Sequence, residues 1–157
     1  MTITTVVAAL QTLNASVTGI KNAPTKVPSS LNSGDLPTVI VWPSSSSSGQ
    51  NANFKTSQRT YTITAYIKPA EQGAGVFEGW NETKNILQSL LEAYLDSGNV
   101  ILVSSGGYNA SIRNDLDESP VIDNGIDMYA YPPPATGVEG WPHYFGCQFQ
   151  VTVKEQW

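Results

Sequence analysis

One cysteine and one histidine are all that this chain of 157 residues offers to thiol and imidazole chemistry. A lone Cys147 cannot form an internal disulfide, so cysteine pairing says nothing about redox compartment. One Cys and one His cannot complete the four ligands of a conventional zinc site, which excludes that class of metal centre. Any Ser-His-Asp arrangement would have to use His143, in Trp141-Pro142-His143-Tyr144, and the chain has no G-x-S-x-G elbow. Charge is scarce too, at 13% of residues against an ordinary share of about 25%. The eight Lys and Arg are scattered singly and the net charge is −5, so no basic stripe is present to hold nucleic-acid phosphates. No apolar run reaches membrane-spanning length. Met1-Thr2-Ile3-Thr4-Thr5 lacks the positive start of a secretory signal. A soluble protein made inside the cell is the expectation.

What fills the deficit is Ser, Thr, Asn, Gly and Pro, the residues of turns and loops, beside a 40% hydrophobic share that suffices for one core. Ile3, Val6, Val7, Leu10, Leu13 and Val17 recur at helical spacing and predict a helix over Thr2–Thr18. A connector with Pro24, Pro28 and Gly34 leads to the apolar run Val39–Trp42, which stops at Pro43 and runs into five serines. Thr60–Ile67 alternates, with Tyr61, Ile63, Ala65 and Ile67 on one face and the threonines and Tyr66 on the other, the pattern of a half-buried antiparallel strand. Trp80, Leu87, Leu90, Leu91, Tyr94 and Leu95 mark one face of a second helix ended near Gly98. Val100–Val103 and Tyr108–Arg113 predict a hairpin across Ser105-Gly106-Gly107. Phe145, Cys147, Phe149, Val151 and Val153 alternate along a last strand. The order α-β-β-α-β-β-β, or one strand fewer, predicts an α+β fold. It is one domain over residues 1–157, mainly an antiparallel sheet with two principal helices packed on one face. Long loops are expected at about 44–57 and 115–142.

The motif-like stretches reduce to structure. Gly73-Ala74-Gly75 with Gly79 spaces its glycines as G-x-G-x-x-x-G, one residue too long for a dinucleotide loop, and the flanking strands are not βαβ. Cys147 falls on an apolar strand face and reads as core. The acidic stretch Asp115, Asp117, Glu118, Asp123 and Asp127 lacks EF-hand spacing and its closing Glu, and reads as a solvated loop. Three N-x-S/T triplets in a chain so rich in Asn and Ser match by chance.

In its element order the chain resembles the tail terminator proteins of long-tailed bacteriophages. The N-terminal helix leads through a polar connector into Leu36-Pro37-Thr38-Val39-Ile40-Val41-Trp42-Pro43. A long loop, the Thr60–Pro69 strand, a second amphipathic helix and a closing strand ending in Val151-Thr152-Val153-Lys154-Glu155 follow. The resemblance implies a structural virion protein with no enzymatic activity, no catalytic residues, no cofactor and no metal. It implies a ring, usually a hexamer, that caps the last tail-tube ring at the head-proximal end of the tail, stops its elongation and meets the head-side connector or stopper protein. It implies assembly in the host cytoplasm, with DNA only passing through the lumen and no membrane partner. A head–tail connector or neck protein of the same particle is the nearest alternative. A hydrolase using His143 or an acidic pair and a small carbohydrate- or partner-binding module are rivals of other classes.

Ring closure needs a heterologous interface. Its candidate anchors are aromatics set in loops: Trp42, Phe77, Trp141 and Trp157. Asp115, Asp117, Glu118, Asp123 and Asp127 are the candidates for a DNA-repelling lumen. Ser44–Ser48 with Gly49 offers no apolar surface to offset its ordering entropy, so a mobile hairpin tip that orders on assembly is expected there.

Overall fold

The sheet is built outward from the two alternating runs. The computed structural model describes residues 3–50, 55–70, 76–112, 121–132 and 142–157. Helix α1 spans Ile3–Ser16, and strands β1 (Thr38–Gln50) and β2 (Lys55–Pro69) follow. Helix α2 covers Val76–Leu95, and then come β3 (Ile101–Ser105), β4 (Tyr108–Ile112), β5 (Val121–Ala130) and β6 (His143–Gln156). All six strands form one antiparallel sheet in the order β1-β2-β6-β4-β3, with β5 paired to β6 beside β4. The expected α+β class and antiparallel sheet are what the chain forms, with one strand more than the longer predicted order.

Period-two alternation decides the faces. Tyr61, Ile63, Ala65 and Ile67 of β2 and Cys147, Phe149, Val151 and Val153 of β6 are buried in one cluster with Val39 and Val41. Val6 and Leu10 of α1 and Ile86, Leu87, Leu90 and Tyr94 of α2 close that cluster from above. Both helices therefore lie on the same face. Trp80 and Leu95, expected on the buried face of α2, are exposed instead, because the inward stripe runs through Gly79, Thr83, Ile86, Leu90 and Tyr94. Glycine is required at 79, where any Cβ would press on the Phe145 ring. Beyond Leu95 the Asn99 side chain caps the Ala93 carbonyl and the Asp96 carboxylate accepts from Gly98 N, so α2 stops as expected near Gly98.

A buried polar relay ties the layers together. Gln11 Nε2 donates to the carbonyls of Val39 (2.9 Å) and Pro24 (2.7 Å), and Asn14 Nδ2 donates to Gln11 Oε1 (2.9 Å). Tyr94 Oη donates to Asn14 Oδ1 at 2.8 Å, which joins α2 to α1. Gln11→Ala strands a buried amide and a buried carbonyl, each worth about 1–3 kcal/mol when unpaired. The expected loss is about 2–4 kcal/mol in urea unfolding, whereas Thr12→Ala on the exposed side of the same helix stays within about 0.5 kcal/mol.

Both of the expected loops contain strand. Ser44–Gly49 belongs to β1, paired as Ser46↔Arg59, Ser47↔Gln58, Ser48↔Ser57 and Gly49↔Thr56 after a bulge at Pro43/Ser46. The serines have no apolar pattern of their own; β2, itself held by β6 as far as Thr56↔Gln156, supplies the ladder. The connection left between the strands is residues 51–54, outside the described residues. Within the expected loop at 115–142, β5 runs along β6 from Val121↔Val151 to Ala130↔His143. Its alternation is broken by a bulge between Asp123 and Ile126, where Gly125 takes φ +77, and this hides the strand in the sequence.

Candidate functional site

The face of the sheet opposite α1 and α2 is not uniformly polar. Leu36, Ile40, Tyr66 and Tyr131 form a second buried cluster there, with Leu31, Trp42, Tyr129 and Tyr144 packed against it. Tyr66 meets Tyr131 and Tyr144 edge to face, at centroid distances of 5.2 and 5.9 Å. The Tyr131 hydroxyl donates to the Pro28 carbonyl and fastens the connector over this end. Beside the cluster opens a cleft of about 660 Å³, inside the roughly 300–1,000 Å³ range of ligand pockets. Trp42, Tyr66 and Tyr129 supply its rings, Thr62, Thr64 and Gln148 its polar floor, and Val27 and Pro132 its apolar margins. Among the described residues none that lines it carries a formal charge.

Strand register alone brings these groups together. Tyr66 stands opposite Gly146, whose missing side chain leaves room for the Tyr129 ring on the same face. Gln148 pairs across from Thr64 and donates Nε2 to Thr64 Oγ1 at 3.1 Å. Burial pushes Tyr129 up to about 12, with Asp127, Cys147 and Asp123 adding to the rise. Tyr66 is raised by burial and by its neighbours Tyr131 and Tyr129. These hydroxyls stay protonated at neutral pH, so the cleft offers aromatic faces and hydrogen bonds but no ionised acid or base.

At the far end of the helix-covered face lies a polar group of another kind. Glu155, 4% exposed, accepts from Tyr108 Oη at 2.5 Å, and the Tyr108 ring lies 6.1 Å from Trp157. Arg59 donates to the Ser44 carbonyl at 2.6 Å and so fastens the β1 bulge. Among the described residues its Nε and the Tyr61 hydroxyl are buried without partners.

Of the expected anchors, Trp42 is in the cleft wall, Phe77 is 75% exposed at the start of α2, and Trp157 is 38% exposed beside Tyr108. Phe77 and Trp157 are not brought together with Trp42, and Trp141 lies outside the described residues. Of the lumen candidates, Asp115, Asp117 and Glu118 also lie outside them. Asp123 and Asp127 are exposed on β5, where they accept from the backbone N–H of Gly125 (2.7 Å) and Met128 (2.8 Å). His143 is exposed at the first position of β6. Cys147 is buried, and burial with the nearby Asp123 charge pushes its thiol up to about 12. Among the described residues no group of three or more His, Cys, Asp and Glu could hold a metal ion, and no helix is long and apolar enough to cross a membrane. Tyr66, Tyr129 and Gln148 were not legible as site residues; the even-numbered face of β2, read as threonines and Tyr66, was the signal.

No protein-family model matches the chain, and no curated protein matches it at a significant level.

Proposed function

We propose that this protein is a structural component of a long-tailed bacteriophage virion. It is the subunit of a ring, hexameric by the tail terminator resemblance, that sits on the last ring of the tail tube and ends tube growth. Its outer surface meets the head-side connector. The observation that supports this most is the element order: α1, a polar connector, β1, β2, α2 and the closing strand β6 follow one another as in the resemblance, with strand pairing as far as Gln50↔Lys55 where it has a long loop. They assemble into a sheet that α1 and α2 cover from one face. A subunit built this way has two chemically different broad sides, as a head-to-tail ring requires. The uncharged aromatic cleft suits a protein contact, since interface cores are depleted in charge and enriched in Tyr and Trp.

Polymerising tail-tube protein with and without this chain tests the assignment by electron microscopy. Tubes of limited length with a ring of added density at one end are expected. Tubes that grow unhindered beside unbound protein contradict it, and a ring that binds portal-side protein but ignores tubes favours the connector alternative.

A further inference from the structure

Helix α2 carries a stripe that its own chain leaves uncovered. Phe77, Trp80 and Lys84 recur at i, i+3 and i+7, on one side of the helix. Phe77 is 75% exposed and Trp80 48%, and Lys84 Nζ sits 5.1 Å from the Trp80 ring centroid. Among the described residues Lys84 has no ion-pair partner; the acids beside the stripe, Glu78 and Glu82, face Lys68 at 3.7 Å each. Two adjacent rings, with the Lys84 cation over one of them, thus protrude on the helix side of the sheet.

The cleft on the opposite side is the complement. Trp42, Tyr66 and Tyr129 line it without a formal charge. Asp127 lies two residues from Tyr129 and, by strand alternation, on the same face of β5, exposed at the rim. It is near enough for its charge to raise Tyr129. Aromatic protrusion meets aromatic recess, and cation meets anion at the margin.

We infer that the Phe77–Trp80–Lys84 stripe of one copy seats in the Trp42–Tyr66–Tyr129 cleft of the next, with Lys84 against Asp127. This rests on the ring assignment and names the contact that makes it. Stripe and cleft occupy opposite sides of the sheet, so the contact is heterologous, and its repetition closes a ring or continues as a filament. Asp127, expected at a lumen, is thereby placed at a subunit boundary.

The test mixes two variants, each missing one half of the contact. Phe77→Ala with Trp80→Ala removes exposed rings and leaves the fold intact; Trp42→Ala damages the cleft. Each weakens self-association at least about tenfold, so each alone is monomeric at a concentration where the parent assembles. Together they form a heterodimer in native mass spectrometry, because one intact stripe meets one intact cleft, and go no further. Since Trp42 also packs against the second cluster, Lys84→Glu and Asp127→Lys supply a surface-only check: each weakens assembly and the pair restores it. Variants that assemble like the parent, or a charge swap that restores nothing, overturn the contact while the ring stands. A parent chain that stays monomeric at every concentration overturns the ring and the contact together.

Discussion

Replacing Gly146 with alanine is expected to destabilise the protein more than any other exchange of a single hydrogen for a methyl group. A Cβ there would fall inside the contact distance of the Ala65 carbonyl oxygen on the neighbouring strand and 3.2 Å from the Tyr129 ring. The obstacle is backbone, and β2 cannot retreat because β1 holds its other edge through Val39↔Ala65. Overpacking a well-filled interior costs about 1–3 kcal/mol where side chains can yield, and a clash with fixed backbone exceeds that range. A loss of at least about 3 kcal/mol is expected, which in a chain of this size lowers Tm by about 6–12 °C. Gly34→Ala is the control: an added Cβ meets nothing within 4 Å there, and Tm changes by about 2 °C or less. Circular dichroism melts of the two variants check both numbers.

The second large effect is alkaline. Tyr61, Tyr66 and Tyr94 are fully buried, and burial raises all three above the ordinary tyrosine value of 10, Tyr61 to about 12 and the other two further. Their neutral forms are favoured in the fold, so the stabilisation is complete below about pH 10 and is lost as pH rises toward the folded values. A tyrosine held neutral in the fold but free to ionise in the unfolded chain costs stability at up to about 1.4 kcal/mol per pH unit above 10. The three together remove about 8 kcal/mol within about two units, which exhausts a margin in the lower half of the ordinary range of about 5–15 kcal/mol. Cooperative unfolding between about pH 11 and 12 is expected, with tyrosinate absorbance appearing in the same transition as loss of ellipticity. Tyrosines that titrate smoothly near pH 10 while the ellipticity holds would contradict it.

These two results draw on different kinds of legibility. The alternation of β2 and β6 and the core place of Cys147 were plain in the sequence, because burial on one face imposes a period of two on side-chain polarity. The serine strand was not, since its pairing is supplied by β2 and leaves no mark on serine. β5 was hidden by two aspartates and by the bulge at Gly125, which resets the alternation midway. Tyr66 alternates onto the polar face, and that face holds a second cluster in which it meets Leu36 and Ile40 of one distant segment and Tyr131 of another. The cleft follows the same rule. Trp42 stands out in the sequence as an aromatic expected in a loop, although it lies in β1, but Tyr129 and Gln148 reach it only through the registers of β5 and β6, which no local pattern encodes. Gly146 illustrates the limit: within its strand it looks like a weak point, and only the approach of Ala65 shows that the register depends on it.

The central claim is that this chain closes into a ring through surfaces on opposite sides of its sheet. Native mass spectrometry of the purified chain across a concentration series, with negative-stain images of the same samples, tests it most directly. The account predicts a discrete closed species, six copies by the terminator resemblance, seen as rings with a central hole. A strict monomer at every concentration, or a two-fold dimer that grows no further, would contradict it.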